Sequence, residues 1–275
     1  MISNLIKKLK KYSFLHNNYT LVKFFFTGVF FIVCNYMPIT TKIKGLNVKS
    51  IKIFKFMLWH EGFAYFTGKL YNSDVFIKVD TKLHLLSNDI LSYERLTELP
   101  EMEDKLVKII DYSVGDQIEI VLYDFVLGQE LTEQAIIQDP NLIVELYDII
   151  VDINTQGIIH RDINLNNFLI TNEKVKIIDF TFANSLGETL GFTELRVQTE
   201  RDRRLLKYLG LGLNPEPFVW NDFYSVCQIL KRIMLNHQSK CDENTCKMFS
   251  HYINELKCYA EDSNYTYVLS EHSGR

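Results

Sequence analysis

The sequence predicts an α+β fold of two lobes, in which a β-rich first part is followed by a helix-rich second part. Short apolar runs alternate with polar residues in the first part, as in Val75-Phe76-Ile77-Lys78-Val79. Apolar residues recur at helical spacing in the second part, as in the run from Leu142 to Ile153. The chain has 275 residues, of which 47% are hydrophobic and 23% charged, so it can bury a substantial core.

Residues 50–126 form the predicted first lobe. Strands are expected where apolar and polar residues alternate or apolar residues cluster, namely Ile51 to Phe56, Val75 to Val79, Leu106 to Ile110 and Ile118 to Phe125. A single helix is expected from Asn88, a residue type that caps helices, to Leu99. These elements predict an antiparallel sheet accompanied by one helix.

Residues 127–275 form the predicted second lobe. Asp139 and Pro140 are expected to begin a helix that Gly157 ends. Two short strands are then expected at Phe168 to Ile170 and Val175 to Ile178. Further helices are expected to open at Asn221 or Asp222 and to cover residues 243–260, which makes this lobe mainly helical.

Charge and cysteine content exclude some classes of function. A formal net charge of −4 does not favour nucleic acid, which needs a strong basic stripe. Five cysteines at uneven spacing do not form a disulfide framework. Cys241, Cys246 and Cys258, with His237 and His251 nearby, would suit a zinc site, but the spacing is weak and favours free thiols in a reducing cytosol.

Three polar residues point to phosphoryl transfer. Asp162 lies in a loop between apolar runs, Asn167 follows five residues later, and Asp179 follows the strand that begins at Val175. A carboxylate at Asp162 can accept a proton from an acceptor hydroxyl. The oxygens of Asn167 and Asp179 are hard ligands that suit magnesium. The pattern therefore predicts an ATP- and Mg²⁺-dependent phosphotransferase, which is expected in the cytoplasm because ATP is available there.

With these motifs, residues 50–235 resemble the protein-kinase-like superfamily. The catalytic loop of that family appears as His160-Arg161-Asp162, with Asn167 at its metal-binding position, and its Asp-Phe-Gly motif appears as Asp179-Phe180-Thr181. The resemblance implies a bilobal kinase fold with Asp162 as the catalytic carboxylate. It also implies that Asn167 and Asp179 bind the metal.

The same resemblance extends to the first lobe. Lys78, at the end of Val75-Phe76-Ile77-Lys78, matches the strand lysine that holds the α- and β-phosphates of ATP. Glu94, sixteen residues later, is the implied helix partner that orients Lys78. The family's glycine loop is matched poorly, since Gly62 and Gly68 stand at the two ends and the middle glycine is missing.

Two further roles follow from position. Backbone groups of Asp124, Phe125 and Val126 lie where the family's hinge bonds adenine. Asp222 resembles the buried aspartate that braces the catalytic loop, and it would also serve as a helix N-cap.

The acceptor is suggested by departures from protein kinases. Asn164 replaces their usual lysine, Thr181 replaces the glycine of Asp-Phe-Gly, and no clear Ala-Pro-Glu motif follows. Residues 200–210, followed by residues 222–224, are similar to a stretch in bacterial lipopolysaccharide core heptose kinases, which implies a glycolipid sugar as acceptor. Basic residues that could contact phosphates of such a glycolipid, or form a solvated helix face, are Arg201, Arg203 and Arg204. A Ser/Thr-type protein kinase and a membrane-tethered pseudokinase that only binds partners are the alternatives.

The N-terminal extension, residues 1–45, would suit a membrane-surface substrate. Its basic cluster at Lys7, Lys8, Lys10 and Lys11 precedes Phe24 to Thr41, which carries no charged side chain. A spanning helix with its lysines inside would put the enzyme outside the cytosol, away from ATP. We therefore expect a helix on the inner face of the membrane, with a helix packed on the catalytic domain as the alternative.

Overall fold

A computed structural model describes residues 34–54, 62–172, 174–187 and 190–269. The predicted α+β class is confirmed. The chain divides into two compact units, the first formed by residues 1–84 and 110–125 and the second by residues 85–109 and 126–275. Residues 85–109, which carry the helix predicted for the first lobe, therefore belong to the second unit.

The first unit is built on a five-stranded sheet in the order β1-β2-β3-β5-β4. Its strands are β1 (Lys49–Ile53), β2 (Phe63–Leu70), β3 (Ser73–Asp80), β4 (Ile109–Ser113) and β5 (Glu119–Asp124). Strands β2 and β3 pair without interruption from Phe63↔Asp80 to Leu70↔Ser73. Tyr71 and Asn72 connect them with φ values of 47° and 75°, the left-handed geometry that suits a two-residue hairpin turn.

A helix at residues 34–45, α1, completes the first unit. Its Ile39 and Ile43 are fully buried and share a core with Val75 and Ile77 of β3. Among the described residues, no helix combines the length and apolarity that crossing a membrane requires. The basic cluster and residues 24–33, on which the membrane-surface prediction depends, lie outside the described residues.

The second unit is mainly helical. Its helices are α2 (Leu86–Leu96), α3 (Glu133–Gln138), α4 (Asn141–Thr155), α5 (Glu200–Lys207), α6 (Asp222–Asn236) and α7 (Glu243–Ala260). Its short strands are β6 (Gln129–Glu130), β7 (Ile158–Ile159), β8 (Phe168–Ile170), β9 (Val175–Ile177), β10 (Asn184–Ser185), β11 (Val219–Trp220) and β12 (Tyr267–Val268). They form the sheets β6-β8-β9, β7-β10 and β11-β12.

The strand predicted from Leu106 to Ile110 is wrong over most of its length. Pro100–Lys105 forms a 3₁₀ helix, Leu106 makes only an isolated bridge to Ile177, and β4 begins at Ile109. An apolar run too short to show a period cannot distinguish a strand from an extended connection. The predicted α2 is present, but it spans Leu86–Leu96 instead of beginning at Asn88.

The core of the second unit forms around the apolar face of α4. Ile149, Ile150 and Ile153 are fully buried in one cluster with Phe223 of α6 and Phe249 of α7. Gly157 follows α4 with φ of 70°, a conformation that glycine adopts without strain, and the chain turns there into β7. The loop that follows β7 carries Asp162.

Candidate active site

Amide side chains close the loop that carries Asp162. Asn164 Nδ2 and Asn167 Nδ2 both donate to the backbone carbonyl of Asp162, at 3.0 Å and 2.8 Å. Asn167 Nδ2 also donates to Asp162 Oδ2 at 3.1 Å. The Asn164 side chain accepts from the Asn166 N–H at 3.0 Å. Because Asn167 directs its amide nitrogen at Asp162, its Oδ1 is the atom that would face a cation.

Asp179 lies close enough to Asp162 to affect its ionisation. Burial of the Asp162 carboxyl, and after it the negative charge of Asp179, raise the pKa of Asp162 above its usual value. As whole residues, Asp162 and Asp179 are half-buried. Asp179 itself has φ of 68°, in the left-handed region, two residues after β9 ends at Ile177. The structure therefore brings Asp162, Asn167 and Asp179 together within the second unit.

Helix α2 holds the segment after Asp179. Asp89 Oδ1 accepts from the Phe180 N–H at 2.9 Å, and Asp89 Oδ2 accepts from Thr181 Oγ1 at 2.8 Å. Thr181 Oγ1 also lies 2.9 Å from Asp179 Oδ1. A hydroxyl carries a single hydrogen, so Thr181 donates to one of these carboxylates at a time. The threonine that replaces glycine in the motif thus connects the predicted metal ligand to α2.

Asn88, expected only as a helix cap, lies inside α2 and has a different role. Its Nδ2 donates to the carbonyls of Thr181 and Thr193, at 3.0 Å and 2.8 Å, and its Oδ1 accepts from the Thr193 N–H at 2.8 Å. Its partners are 93 and 105 residues distant in sequence. Sequence reasoning missed the contacts of both Asn88 and Asp89, and the signal available was two adjacent polar residues near the start of an amphipathic helix.

The bracing role predicted for Asp222 is confirmed. Asp222, fully buried at the start of α6, accepts from the His160 N–H at 2.7 Å and from the Arg161 N–H at 3.1 Å. The helix cap is Asn221, whose side chain accepts from the Tyr224 N–H. His160 bonds the Ile178 carbonyl through Nε2 and accepts from the Asp162 N–H through Nδ1, so its neutral form carries the hydrogen on Nε2.

The Arg161 side chain is buried among polar and aromatic partners. Its Nε donates to the Phe182 carbonyl at 2.6 Å, and its Nη1 donates to Glu194 Oε1 at 3.1 Å. The guanidinium lies 5.0 Å from the ring centroids of both Trp220 and Tyr267. The Tyr267 hydroxyl donates to Glu194 Oε1 at 2.6 Å. Arg161 thereby joins the loop that carries Asp162 to the segment at Glu194 and to β12.

Gly210 contacts Asp162 from the turn Leu209–Gly212 that follows α5. Its N–H donates to Asp162 Oδ1 at 2.5 Å. Gly210 has φ of 63°, and a Cβ atom there would lie 3.4 Å from the Ile163 carbonyl oxygen. The next residue, Leu211, has φ of 57° although it is not glycine, a strained conformation of the kind that clusters at functional sites.

Several predicted site residues belong to the first unit. Lys78 is buried in β3, and its Nζ lies 5.9 Å from the ring centroid of Phe63. The predicted glycine loop is wrong in form, since Phe63–Leu70 is strand β2. Gly68 lies inside β2, where a Cβ atom would come within 2.5 Å of Val48. Gly62 has φ of 99° and immediately precedes β2.

The predicted hinge begins at the end of β5, and the predicted helix glutamate lies on α2. Asp124 ends β5, and the Phe125 N–H bonds the Asp74 carbonyl at 3.3 Å. Val126 begins the last segment of the second unit. Glu94 is exposed on α2, where the buried acidic residue is Asp89. The pairing of Glu94 with Lys78 and the contacts to adenine stay predictions.

The donor set suits magnesium better than zinc. Among the described residues, no group of three or more His, Cys, Asp and Glu side chains is arranged to hold a metal. The cysteines in this part of the chain are free thiols. Asn167 and Asp179 offer oxygen ligands only, and magnesium completes such sites with water and phosphate oxygens. No protein-family model matches the chain, and a search of curated proteins finds no significant relative.

Proposed function

We propose that the chain is an ATP- and Mg²⁺-dependent kinase that transfers the γ-phosphoryl group to a hydroxyl acceptor. The observation that carries this proposal is the convergence of Asp162, Asn167 and Asp179 in one loop system of the second unit. Magnesium-bound ATP would supply the activated phosphoryl group and the charge neutralisation at its oxygens. Asn167 Oδ1 and the Asp179 carboxylate are the groups that would bind the magnesium.

The remaining residues would orient the reacting groups. The Asp162 carboxylate, with one oxygen held by Gly210 and the other by Asn167, would accept a hydrogen bond from the acceptor hydroxyl and take its proton. Asp222 fixes the backbone that carries Asp162 through His160 and Arg161. For the α- and β-phosphates, Lys78 stays the residue that the family resemblance implies.

A sugar of bacterial lipopolysaccharide core is the acceptor that we propose. The stretch that resembles core heptose kinases includes Gly210, and Gly210 bonds the proposed catalytic carboxylate. We therefore assign recognition of the acceptor to the segment that begins at α5. This proposal includes enzyme action at the cytoplasmic face of a membrane, where such a glycolipid is assembled.

The test is phosphate transfer by the purified full chain. We expect radiolabelled γ-phosphate to pass from Mg·ATP to dephosphorylated core oligosaccharide, and Asp162→Asn to abolish the transfer. Mass spectrometry of lipopolysaccharide from a deletion strain should show the loss of one phosphate. An unchanged phosphate content would contradict the proposed acceptor.

A protein kinase is the second candidate, and the arrangement of Arg161 favours it. A buried arginine that joins the catalytic loop to the segment after Asp179 fixes that segment, as peptide-binding kinases require. Casein in the same assay distinguishes the two candidates. Transfer to casein without transfer to oligosaccharide would support the protein kinase. Transfer to neither acceptor, with nucleotide still bound, would support a pseudokinase that acts as a binding module.

A further inference from the structure

A cavity lined by cationic side chains lies along α5. The turn Leu209–Gly212, which contacts Asp162 through Gly210, follows α5 in the chain. The cavity has a volume of about 390 Å³. The residues that line it and carry the argument are Arg203, Arg204, Lys207, Glu200, Tyr208 and Phe218. We call this feature the α5 cavity.

The helix itself orients the charges of the α5 cavity. Positions 200, 203, 204 and 207 are separated by three and four residues, so their side chains share one face of α5. Leu206 is fully buried and anchors the helix to the unit. Thr199 and Asp202 form a capping box that fixes where α5 begins. The cationic face is therefore held in place by local structure.

Each cation has an aromatic or polar neighbour. The Arg203 guanidinium lies 5.6 Å from the ring centroid of Phe218, and Lys207 Nζ lies 5.6 Å from that of Tyr208. Arg204 Nε donates to the Glu200 carbonyl at 3.3 Å and lies 4.0 Å from the Glu200 carboxylate. Three cations face a single carboxylate, so the α5 cavity attracts an anion. A guanidinium can bind a phosphate or a carboxylate through two parallel hydrogen bonds, and two arginines with a lysine suit an anion that carries more than one negative charge, such as a phosphate.

The size of the cavity and its remaining groups indicate more than a bare phosphate. Small-molecule sites typically occupy about 300–1,000 Å³, and the α5 cavity falls within that range. The Glu200 carboxylate and the Tyr208 hydroxyl can bond hydroxyl groups of a ligand. The chain then runs from Tyr208 to Gly210, whose N–H holds Asp162.

We propose that the α5 cavity binds a phosphate already present on the saccharide that the enzyme phosphorylates. This inference rests on the proposed kinase function and names its acceptor as a phosphorylated sugar. Arg203, Arg204 and Lys207 bind the phosphate, and Glu200 and Tyr208 bond neighbouring sugar hydroxyls. The turn Leu209–Gly212 connects this subsite to the catalytic carboxylate.

The test is calorimetric titration of the full chain after its nucleotide site has been saturated with Mg·AMPPNP. Glucose 1-phosphate, inorganic phosphate and glucose are the probes. We expect saturable binding of glucose 1-phosphate, weaker binding of inorganic phosphate and no binding of glucose. The double variant Arg203→Gln/Arg204→Gln should weaken glucose 1-phosphate binding at least ~10-fold, because charge-assisted hydrogen bonds are lost.

Arg201→Gln is the matched control, since Arg201, which the sequence offered as a phosphate contact beside Arg203 and Arg204, is exposed on the same helix and does not line the α5 cavity. It should change the affinity for glucose 1-phosphate less than ~2-fold, because it alters only the long-range electrostatic field and removes no contact in the cavity. Equal weakening by Arg201→Gln and by the double variant would overturn the proposal, as would equal binding of inorganic phosphate and glucose 1-phosphate. Failure of AMPPNP to bind would instead contradict the kinase function. Thermal melting of each variant verifies that it is folded.

Discussion

The carboxylate of Asp89 accepts a hydrogen bond of 2.9 Å from the backbone N–H of Phe180. This bond joins α2 to the segment that follows the proposed metal ligand Asp179. Asp89 and Phe180 are both buried, so water cannot replace the bond if one partner is removed. The position of the proposed metal ligand therefore depends on Asp89, a residue of α2 far from it in sequence.

Replacing Asp89 tests this dependence. Asp89→Ala removes the acceptor for the Phe180 N–H and leaves the Thr181 hydroxyl with Asp179 as its remaining acceptor. A buried donor without a partner costs about 1–3 kcal/mol. We expect the free energy of unfolding to fall by about 2 kcal/mol or more, measured by urea denaturation.

Glu94→Ala is the control on the same helix. Because Glu94 is exposed, the stability should change by no more than about 0.5 kcal/mol. A similar loss of stability in both variants would contradict the role assigned to Asp89. ATP turnover by the Glu94 variant also tests the sequence-based pairing with Lys78, which predicts a loss of activity at unchanged stability.

The Thr181 hydroxyl should influence magnesium binding through Asp179. Thr181→Val keeps the shape of the side chain and removes the 2.9 Å contact to Asp179 Oδ1. We expect about 1–2 kcal/mol lower stability and a weaker dependence of nucleotide binding on Mg²⁺. Thr97→Val, which removes a hydroxyl from the end of α2, is the control. An unchanged Mg²⁺ titration in Thr181→Val would show that Asp179 is positioned without it.

Glu194 should make the activity of the proposed kinase independent of phosphorylation. Kinase segments can be ordered by a phosphate that pairs with an arginine, but Arg161 already pairs with Glu194. We expect phosphatase treatment to leave ATP turnover unchanged. Glu194→Gln should lower both turnover and stability, since it leaves a buried guanidinium without its countercharge.

Glu261→Gln, at an exposed position after α7, is the control for the loss of one carboxylate. It should leave stability and turnover unchanged. Turnover that disappears on phosphatase treatment of the unaltered chain would contradict the assignment of Glu194 as the permanent partner of Arg161.

Asp222 should make stability depend on pH. Burial raises the pKa of Asp222 above its ordinary 3.8, although hydrogen bonds from the backbone oppose the shift. The folded state then holds the proton more tightly than the unfolded state. The contribution of Asp222 to stability is therefore complete below pH 3.8 and is lost as the pH rises through the folded pKa.

Asp222→Asn removes this titration and places an amide nitrogen against a backbone N–H, which costs about 1–3 kcal/mol. The difference in unfolding free energy between the natural chain and the variant should be largest at about pH 4.5 and should shrink toward about pH 8. Urea denaturation at several pH values measures it. A difference that grows with pH would contradict the raised pKa.

Much of the fold could be predicted from the sequence because its signals are local. The alternation at Val75 to Val79 gave β3, and the apolar face from Leu142 to Ile153 gave α4. Leu106 to Ile110 failed because that run is apolar without a clear period. Gly68 was read as a loop residue, whereas it is glycine because Val48 packs against its backbone. A packing partner twenty residues away leaves no mark on local periodicity.

Some residues of the candidate site could likewise be predicted from the sequence, and others could not. Asp162, Asn167 and Asp179 could be found because their spacing along the chain carries the chemistry. Asp89 and Gly210 could not, since each acts through a backbone hydrogen bond to a residue far away in sequence. The distance in sequence from Lys78 does not tell which acidic residue of α2 has a role. The structure distinguishes the two, since Asp89 is buried and Glu94 is exposed.

The central claim is that Asp162, Asn167 and Asp179 form a magnesium–nucleotide site. Calorimetric titration of AMPPNP into the natural chain, Asp179→Asn and Asp162→Asn, each with and without Mg²⁺, tests it most directly. We predict Mg²⁺-dependent binding by the natural chain, similar binding by Asp162→Asn, and at least ~10-fold weaker binding by Asp179→Asn, because a charged metal ligand is lost. Binding of equal strength by the natural chain and Asp179→Asn, or no binding by the natural chain, would contradict the claim.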